Sequence, residues 1–300
     1  MIMNEQLHIP AMENEVMELL NLKPGMVVVD CTVGMGAHAE KILSKISPLG
    51  RLVCIDKDEH SLALAKTRLA HFKDCTSFLH ADFRYLDKAL NSLDITGIDA
   101  VFFDLGISSF QLGESDRGFS FIKEGPLDMR MDKDAYISAY DLVNNLSIKE
   151  LSGILRNFGE ERWHQRIAKA MIKERINKPI STTHQLVNVI MRSVPHHARY
   201  GRIHPATRTF QALRIAVNRE LEALQDGLEK GISLLKVGAR ICVIAFHSLE
   251  DRIVKRKFLS AAHNSEIKII TSKPLTASKD EIQQNPRSRS AKLRCAERIK

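Results

Sequence analysis

The chain has no CxxC pair and no internal repeat, its opening leads us to expect no signal peptide, and no charge-free apolar run approaches the ~20 residues that cross a bilayer. Its five cysteines (Cys31, Cys54, Cys75, Cys242, Cys295) are odd in number and widely scattered, which argues against a zinc ribbon or a disulfide framework. Cys31, Cys54 and Cys242 fall in apolar, strand-like runs, where cysteine serves as a small buried hydrophobe. These absences exclude a helical membrane span and a disulfide-stapled scaffold. They lead us to expect a reduced, cytoplasmic protein without a metal. What remains is 300 residues at 44% hydrophobic, enough for one elaborated domain or two with an ample core.

Residues 26–38, MVVVDCTVGMGAH, read as an apolar strand ending in Asp30, a turn carrying Gly34 and Gly36, and the start of a helix. Twenty residues after Gly36 a second strand, RLVCI, ends in Asp56, and the buried run DAVFFDLG carries Asp104. Strand, glycine turn, helix, strand and acid form the first half of a nucleotide-binding α/β sheet. The turn G-x-G-x-x-A admits a dinucleotide, whose pyrophosphate would rest on the helix N-terminus. Asp30 opposes that reading, because a carboxylate beside the turn repels a phosphate. S-adenosylmethionine has no phosphate and carries an ammonium and a sulfonium, so acids suit it. Asp56 fits both ligands, since each presents ribose hydroxyls. The combination favours the methyl donor, with the dinucleotide as the alternative.

Net charge is +8, and its distribution is uneven. Between Arg199 and Arg219 there are five arginines (Arg199, Arg202, Arg208, Arg214, Arg219) and no acid. Between Asn285 and Lys300 there are six basic residues against one acid, Glu297. Two such segments point to a polyanionic partner; a solvated basic face without a partner is the plainer alternative.

Helix-spaced segments (MENEVMELLNL, AEKILSKI, HSLALAKTRLAHF) alternate with strand-like SFLHADF and DAVFFDLG through the first third. From about Glu114 to His204 the pattern is helices and turns, including AYDLVNNL, IKELSGILRNF, ERWHQRIAKAMIKER and THQLVNVIMRSV, the last capped by Ser181 or Thr182. A long helix, TFQALRIAVNRELEALQDGLEKGISLL, a turn at Gly238 and the strand ARICVIAF follow. The tail offers IKIITS and AKLRCAERI as an antiparallel pair at the sheet edge. The expected organisation is a core over 1–113, a helical insert over 114–204 that recognises substrate, and a second core part over 205–300 with a basic tail.

Longer motifs then accumulate: HIPAMENEV at 8–16, DLGISSFQL at 104–112, RGFSF at 117–121, GPLDMRMD at 125–132, GEER at 159–162, HPATRTFQALRI at 204–215, FHSLEDRIVKR at 246–256 and NPRSRSAKLR at 285–294. Together they resemble, nearly end to end, the bacterial small-subunit rRNA cytosine-N4 methyltransferase family (MraW/RsmH). The resemblance implies a class I, Rossmann-like α/β methyltransferase sheet with an inserted all-helical domain. It also implies S-adenosylmethionine as donor and a cytidine of 16S rRNA in the small ribosomal subunit as acceptor. Departures are few: Ala37 replaces the usual last glycine of the turn, Phe110 and Gly113 replace a proline and an aspartate, and the stretch from Lys257 to Asn285 is short. An alanine forced to positive φ costs roughly 1 kcal/mol or more, so Ala37 raises the prospect of weaker donor binding.

Carried over by position, the resemblance places Gly34, Gly36, Ala37, His38, Asp56, Phe83, Asp104 and Gln111 around the donor. Backbone N–H groups of Gly36, Ala37 and His38 suit a carboxylate, Asp56 the ribose, Phe83 the adenine, and Asp104 and Gln111 the sulfonium side. His38 as a helix cap and Phe83 as ordinary core are the plain alternatives. Asp104, Ser108 and Ser109 are the expected catalytic set: Asp104 accepts from the amine or contacts the donor, and the serines shape the base pocket. The conjugated cytosine amine is a poor nucleophile, so in-line positioning and N–H acceptors carry the catalysis. The base must leave its stack, because its reacting nitrogen lies on the pairing edge. Arg202, Arg208, Arg214, Arg287, Arg289 and Arg294 are candidate phosphate contacts, joined by Arg130, His247 and Arg252. Asp251 and Arg252 read equally well as an ion pair locking insert to core. An oxidoreductase and a non-catalytic RNA-binding factor are the competing classes. Chemistry alone leaves DNA open as the acceptor, and the sequence leaves the oligomeric state open.

Overall fold

The computed structural model describes residues 10–300, apart from the side chain of Ser109. His8 and Ile9 of the HIPAMENEV motif lie outside the described residues. The chain divides into two compact units: residues up to Gly106 together with Leu221–Lys300, and Ile107–Glu220.

The first unit is built on one sheet. Its strands are β1 (Val27–Asp30), β2 (Arg51–Asp56), β3 (Thr76–His80), β4 (Ile98–Asp104), β5 (Leu235–Ala245), β6 (Ile267–Ile269), β7 (Leu275–Thr276) and β8 (Lys292–Arg298). The order is β3-β2-β1-β4-β5-β8-β6, with β7 also paired to β8. The first five strands are mutually parallel, and β8 runs antiparallel to β5, β6 and β7. Strand direction explains the burial code, because successive side chains leave opposite faces. Val29, Val53, Ile55, Val101 and Phe103 join one core with Leu86, Leu90, Leu224, Leu228, Val254 and Phe258. Their neighbours Val28, Leu52, Cys54, Ala100 and Phe102 join a second core with Val16, Leu20, Ile42, Ile46 and Leu62. Helices therefore cover both faces, as runs apolar on both faces require.

Because β1 lies between β2 and β4, the strand order reverses at β1, which is the crevice where such sheets bind ligands. β1, β2 and β4 each end in an aspartate there: Asp30, Asp56 and Asp104. The tail strands pair antiparallel, but β8 fills the position beside β5, and β6 and β7 line its other side at the edge. Gly238, at φ +82°, lies within β5 at a bulge rather than in a turn before it, where the register jumps from Ile98↔Leu235 to Ala100↔Arg240.

The second unit has its own core, including Leu151, Leu155, Ile167, Met171, Leu186, Ile190, Phe210 and Leu213. Its longer helices are Ile148–Gly159, His164–Asn177, Thr183–Ser193 and Ala206–Asn218, and Thr182 caps the third. The long helix expected from residue 209 onward is two helices: Arg219 adopts the left-handed conformation (φ 49°) between Ala206–Asn218 and Glu220–Leu234. The first half packs in the insert. A Cβ on Gly159 would approach Arg208 O to 2.6 Å, so only glycine lets these two helices meet this closely. The compact units divide at 106/107 and 220/221 instead of the expected 113/114 and 204/205; the second division follows the break at Arg219.

Candidate active site

The glycine turn takes its shape from two positive-φ residues, Gly34 (52°) and Gly36 (82°), and Gly36 is the N-cap of the helix Ala37–Ile46. Glu40 donates to Gly36 O, so the N–H groups of Ala37, His38 and Ala39 have no acceptor within the helix. Ala37 is the first helical residue and is absent from the positive-φ positions, so the strain foreseen for alanine does not arise.

Asp56 is fixed by two backbone donors: Gly34 N–H to Oδ2 at 2.8 Å and Asp58 N–H to Oδ1 at 2.9 Å. Burial raises it to about 6, against the lowering effect of those two bonds. Asp30 is 1% exposed and accepts from Thr32 N–H at 3.1 Å. Burial raises it to about 7, with the Asp104 and Asp56 charges adding to the rise and His38 opposing it. Thr32, which carried no role in the sequence reading, accepts the Asp104 backbone N–H on its Oγ1 at 2.7 Å and so ties the ends of β1 and β4 together.

His38 does not cap the helix. Its Nε2 lies 3.0 Å from Ala11 O and its Nδ1 3.4 Å from Asp104 Oδ2, with the Phe102 ring edge-on at 4.8 Å. The Asp104 Oδ1 is buried and has no hydrogen-bond partner among the described residues. Phe83 is half-buried in the turn Phe83–Tyr85, edge-on to Phe103 at 5.5 Å, so both the packing and the ligand-facing readings have a basis.

Ser108 and Gln111 form a reciprocal cap on the helix Ser109–Gly113: Ser108 Oγ accepts from Gln111 N–H, and Gln111 Oε1 accepts from Ser108 N–H at 3.0 Å. Both belong to the second unit, as does Ser109, which opens that helix.

Three expected RNA contacts are internal. Arg130 makes a bidentate pair with Asp128 at 2.8 Å and donates to Lys133 O and Ala135 O. Arg214 pairs with Glu220 through Nε and Nη2 at 3.0 and 2.9 Å. Arg294 is 7% exposed and donates to Asp251 at 2.7 Å. Asp251 also meets Lys292 at 3.4 Å, and these partners outweigh its burial and hold its carboxyl below the usual range. The ion pair at Asp251 is therefore with Arg294 and Lys292, inside the first unit, and not with Arg252. His247 is the N-cap of Ser248–His263, its Nδ1 accepting from Glu250 N–H at 3.3 Å, so FHSLEDR is largely a capping box. Arg202, Arg208, Arg252, Arg287 and Arg289 are exposed.

The model of the MraW methylase family matches residues 5–299. The chain belongs to the MraW methylase family. Relatives named ribosomal RNA small subunit methyltransferase H include one from Clostridioides difficile (strain 630), 45% identical over 97% of this chain and 99% of that protein. Another, from Caldicellulosiruptor saccharolyticus, is 48% identical over 97% and 99%. A third, from Trichlorobacter lovleyi, is 46% identical over 99% and 100%. Among solved structures, TrmN from Thermus thermophilus aligns at a TM-score of 0.46 and 13% identity, over 96% of this chain and 48% of that one; the fold assignment rests on the strand order. As a MraW methylase, the protein is an S-adenosylmethionine-dependent methyltransferase. Its strand-end site fits that donor: three aspartates surround the switch point, one presents a buried, unpartnered oxygen, and open N–H groups begin the adjacent helix. Cation, amine and carboxylate each have a complement there.

Proposed function

We propose that this MraW methylase methylates the exocyclic N4 amine of one cytidine in small-subunit ribosomal RNA, acting on a base turned out of its stack in the assembled subunit. The observation that carries the proposal is Asp104: its Oδ1 is a buried, unsatisfied acceptor at the end of β4. Such an atom is costly unless a ligand supplies a donor. The relatives' names support the rRNA substrate.

S-adenosylmethionine supplies a methyl group already activated on a positively charged sulfur. The chain's task is to bring the amine into line, where positioning is worth on the order of 7–11 kcal/mol. Asp104 faces the sulfonium side of the donor, and its Oδ1 accepts an N–H of the amine and so favours the pyramidal nitrogen that forms as positive charge develops. Asp56 takes the ribose, held rigid by Gly34 and Asp58. Phe83 lines the adenine side, and the helix opened by Ala37 and His38 receives the carboxylate. In the short helix that follows Asp104 in the chain, Gln111 serves the donor's sulfonium side and Ser108 and Ser109 serve the target base.

The RNA contacts are carried by the exposed arginines, Arg202 and Arg208 of the insert and Arg287 and Arg289 of the tail, with Arg252 beside the FHSLEDR cap. Their phosphate contacts offset the few kcal/mol of base flipping. Arg130, Arg214 and Arg294 hold the fold instead. The test is transfer of labelled methyl to small subunits lacking the modification, with free 16S rRNA in parallel. Subunit-dependent labelling that falls at least a hundredfold in Asp104→Asn, at saturating donor, is expected. Near-normal turnover of Asp104→Asn removes the catalytic assignment, and equal labelling of free rRNA removes the assembled-subunit substrate.

A further inference from the structure

The His38 side chain is buried between two acceptors and has no water-facing escape, being 5% exposed. A carbonyl oxygen can only accept, so the 3.0 Å contact with Ala11 O requires a hydrogen on Nε2. A neutral ring would then turn its Nδ1 lone pair toward Asp104 Oδ2 at 3.4 Å, acceptor against acceptor. Facing an ionised Asp104, only the doubly protonated ring satisfies both contacts. The charged groups facing it are Asp104 from β4 and Asp30 from β1; the other neighbours, Ala11 and Phe102, are uncharged.

We propose that His38 is an imidazolium that positions Asp104: Nε2–H anchors the ring to Ala11 and Nδ1–H holds Asp104 Oδ2, leaving Oδ1 aimed at the ligand. The inference rests on the reading of Asp104 as the ligand's acceptor and gives that reading its mechanical cause. Desolvation alone pushes the His38 ring down, but the hydrogen bond and charge of Asp104, the Asp30 charge and the Ala11 carbonyl outweigh it and raise the ring above its ordinary 6.5. The anchor is itself held, since Met12 N–H donates to Glu281 Oε1 at 2.7 Å and Met12 sits at φ 54°. The A-M of the HIPAMENEV motif thus delivers a carbonyl to the active site. The cation also reduces mutual repulsion among three clustered carboxylates, which a neutral side chain of the same shape does not. His38 is a positioning residue, since it acts through Asp104.

The test uses the whole, ligand-free protein. Long-range 15N–1H correlation of histidine-labelled enzyme is expected to show both His38 nitrogens still protonated above the ordinary imidazole value of 6.5. Asp104→Asn is expected to return His38 to titration at lower pH. In calorimetry with S-adenosylhomocysteine and S-adenosylmethionine, His38→Gln should weaken binding at least tenfold. Combined with Asp104→Asn it should add less than twofold, because the two act as one unit. A His38 ring that already has one bare nitrogen at pH 6.5, or losses that multiply independently in the double variant, overturns the proposal. Neither readout involves RNA, so failure here is distinguishable from failure of the rRNA cytidine assignment.

Discussion

Asp30 closes β1 with its carboxyl 1% exposed, and ionising it there opposes folding. In the unfolded chain it titrates at its ordinary 3.8, in the folded protein at about 7. Below 3.8 both states hold the proton and Asp30 has no effect on stability. As pH rises the unfolded chain loses its proton first, and stability falls by about 1.4 kcal/mol per unit until the folded group ionises as well. The slope spans roughly three units, so ionised Asp30 costs on the order of 4 kcal/mol above pH 7. Asp30→Asn keeps an oxygen for the Thr32 N–H and removes the charge. The variant should therefore gain about 2–3 kcal/mol more over wild type at pH 8 than at pH 5, read by urea unfolding at both. An equal difference at the two pH values refutes the reasoning, because the carboxyl would then carry the same charge in both states. The site is expected to suffer where the fold gains: donor affinity falls, since the strand-end acids are arranged for a cation.

Gly227→Ala places a Cβ 2.6 Å from Phe83 Cδ2, and the ring must shift; donor affinity should fall at least fivefold with a stability loss of about 1–3 kcal/mol, and an unchanged Kd by calorimetry separates Phe83 from the donor. Arg294→Ala leaves Asp251 with only Lys292 and should cost about 3 kcal/mol in urea unfolding. Because the carboxyl of Asp251 is held low in the folded state, the stability it contributes is complete above its unfolded value and disappears as pH falls through the folded one, a slope absent in Asp251→Asn. Arg289→Ala should leave stability within about 0.5 kcal/mol but lower the salt slope of RNA binding by about one; no change in slope removes it from the phosphate contacts. Ala37→Gly should not tighten donor binding and should lower helix stability by up to about 1 kcal/mol, since residue 37 sits at an ordinary helical φ; tighter binding contradicts the helical placement.

Much of this was legible because local chemistry dictates it. Apolar runs ending in Asp30, Asp56 and Asp104, with glycines in the turn after the first of them, identify the strands and the ligand edge before any contact is known. A capping signal such as Thr182 marks a helix start locally, and in the fold Gln185 completes its capping box. What escaped depends on partners distant in sequence. Arg130, Arg214 and Arg294 carry the same charge as Arg287 and Arg289, and only the fold gives the first three a carboxylate. Arg219 ends a helix in the left-handed conformation without a glycine or proline to announce it, while Phe210 and Leu213 of that helix belong to the insert core. The same holds for β8, whose place beside β5 depends on a pairing with residues 240–245 that no local pattern encodes. His38 reads as one more residue of the glycine turn until Ala11, 27 positions away, closes on it.

The central claim concerns which atom is methylated. Small subunits lacking the modification should be incubated with this protein and labelled S-adenosylmethionine, and their rRNA digested to nucleosides for mass spectrometry. The account predicts a single labelled product, N4-methylcytidine, at one 16S position, lost with Asp104→Asn. Label on a ring carbon, a ribose oxygen, another base or ribosomal protein would contradict it.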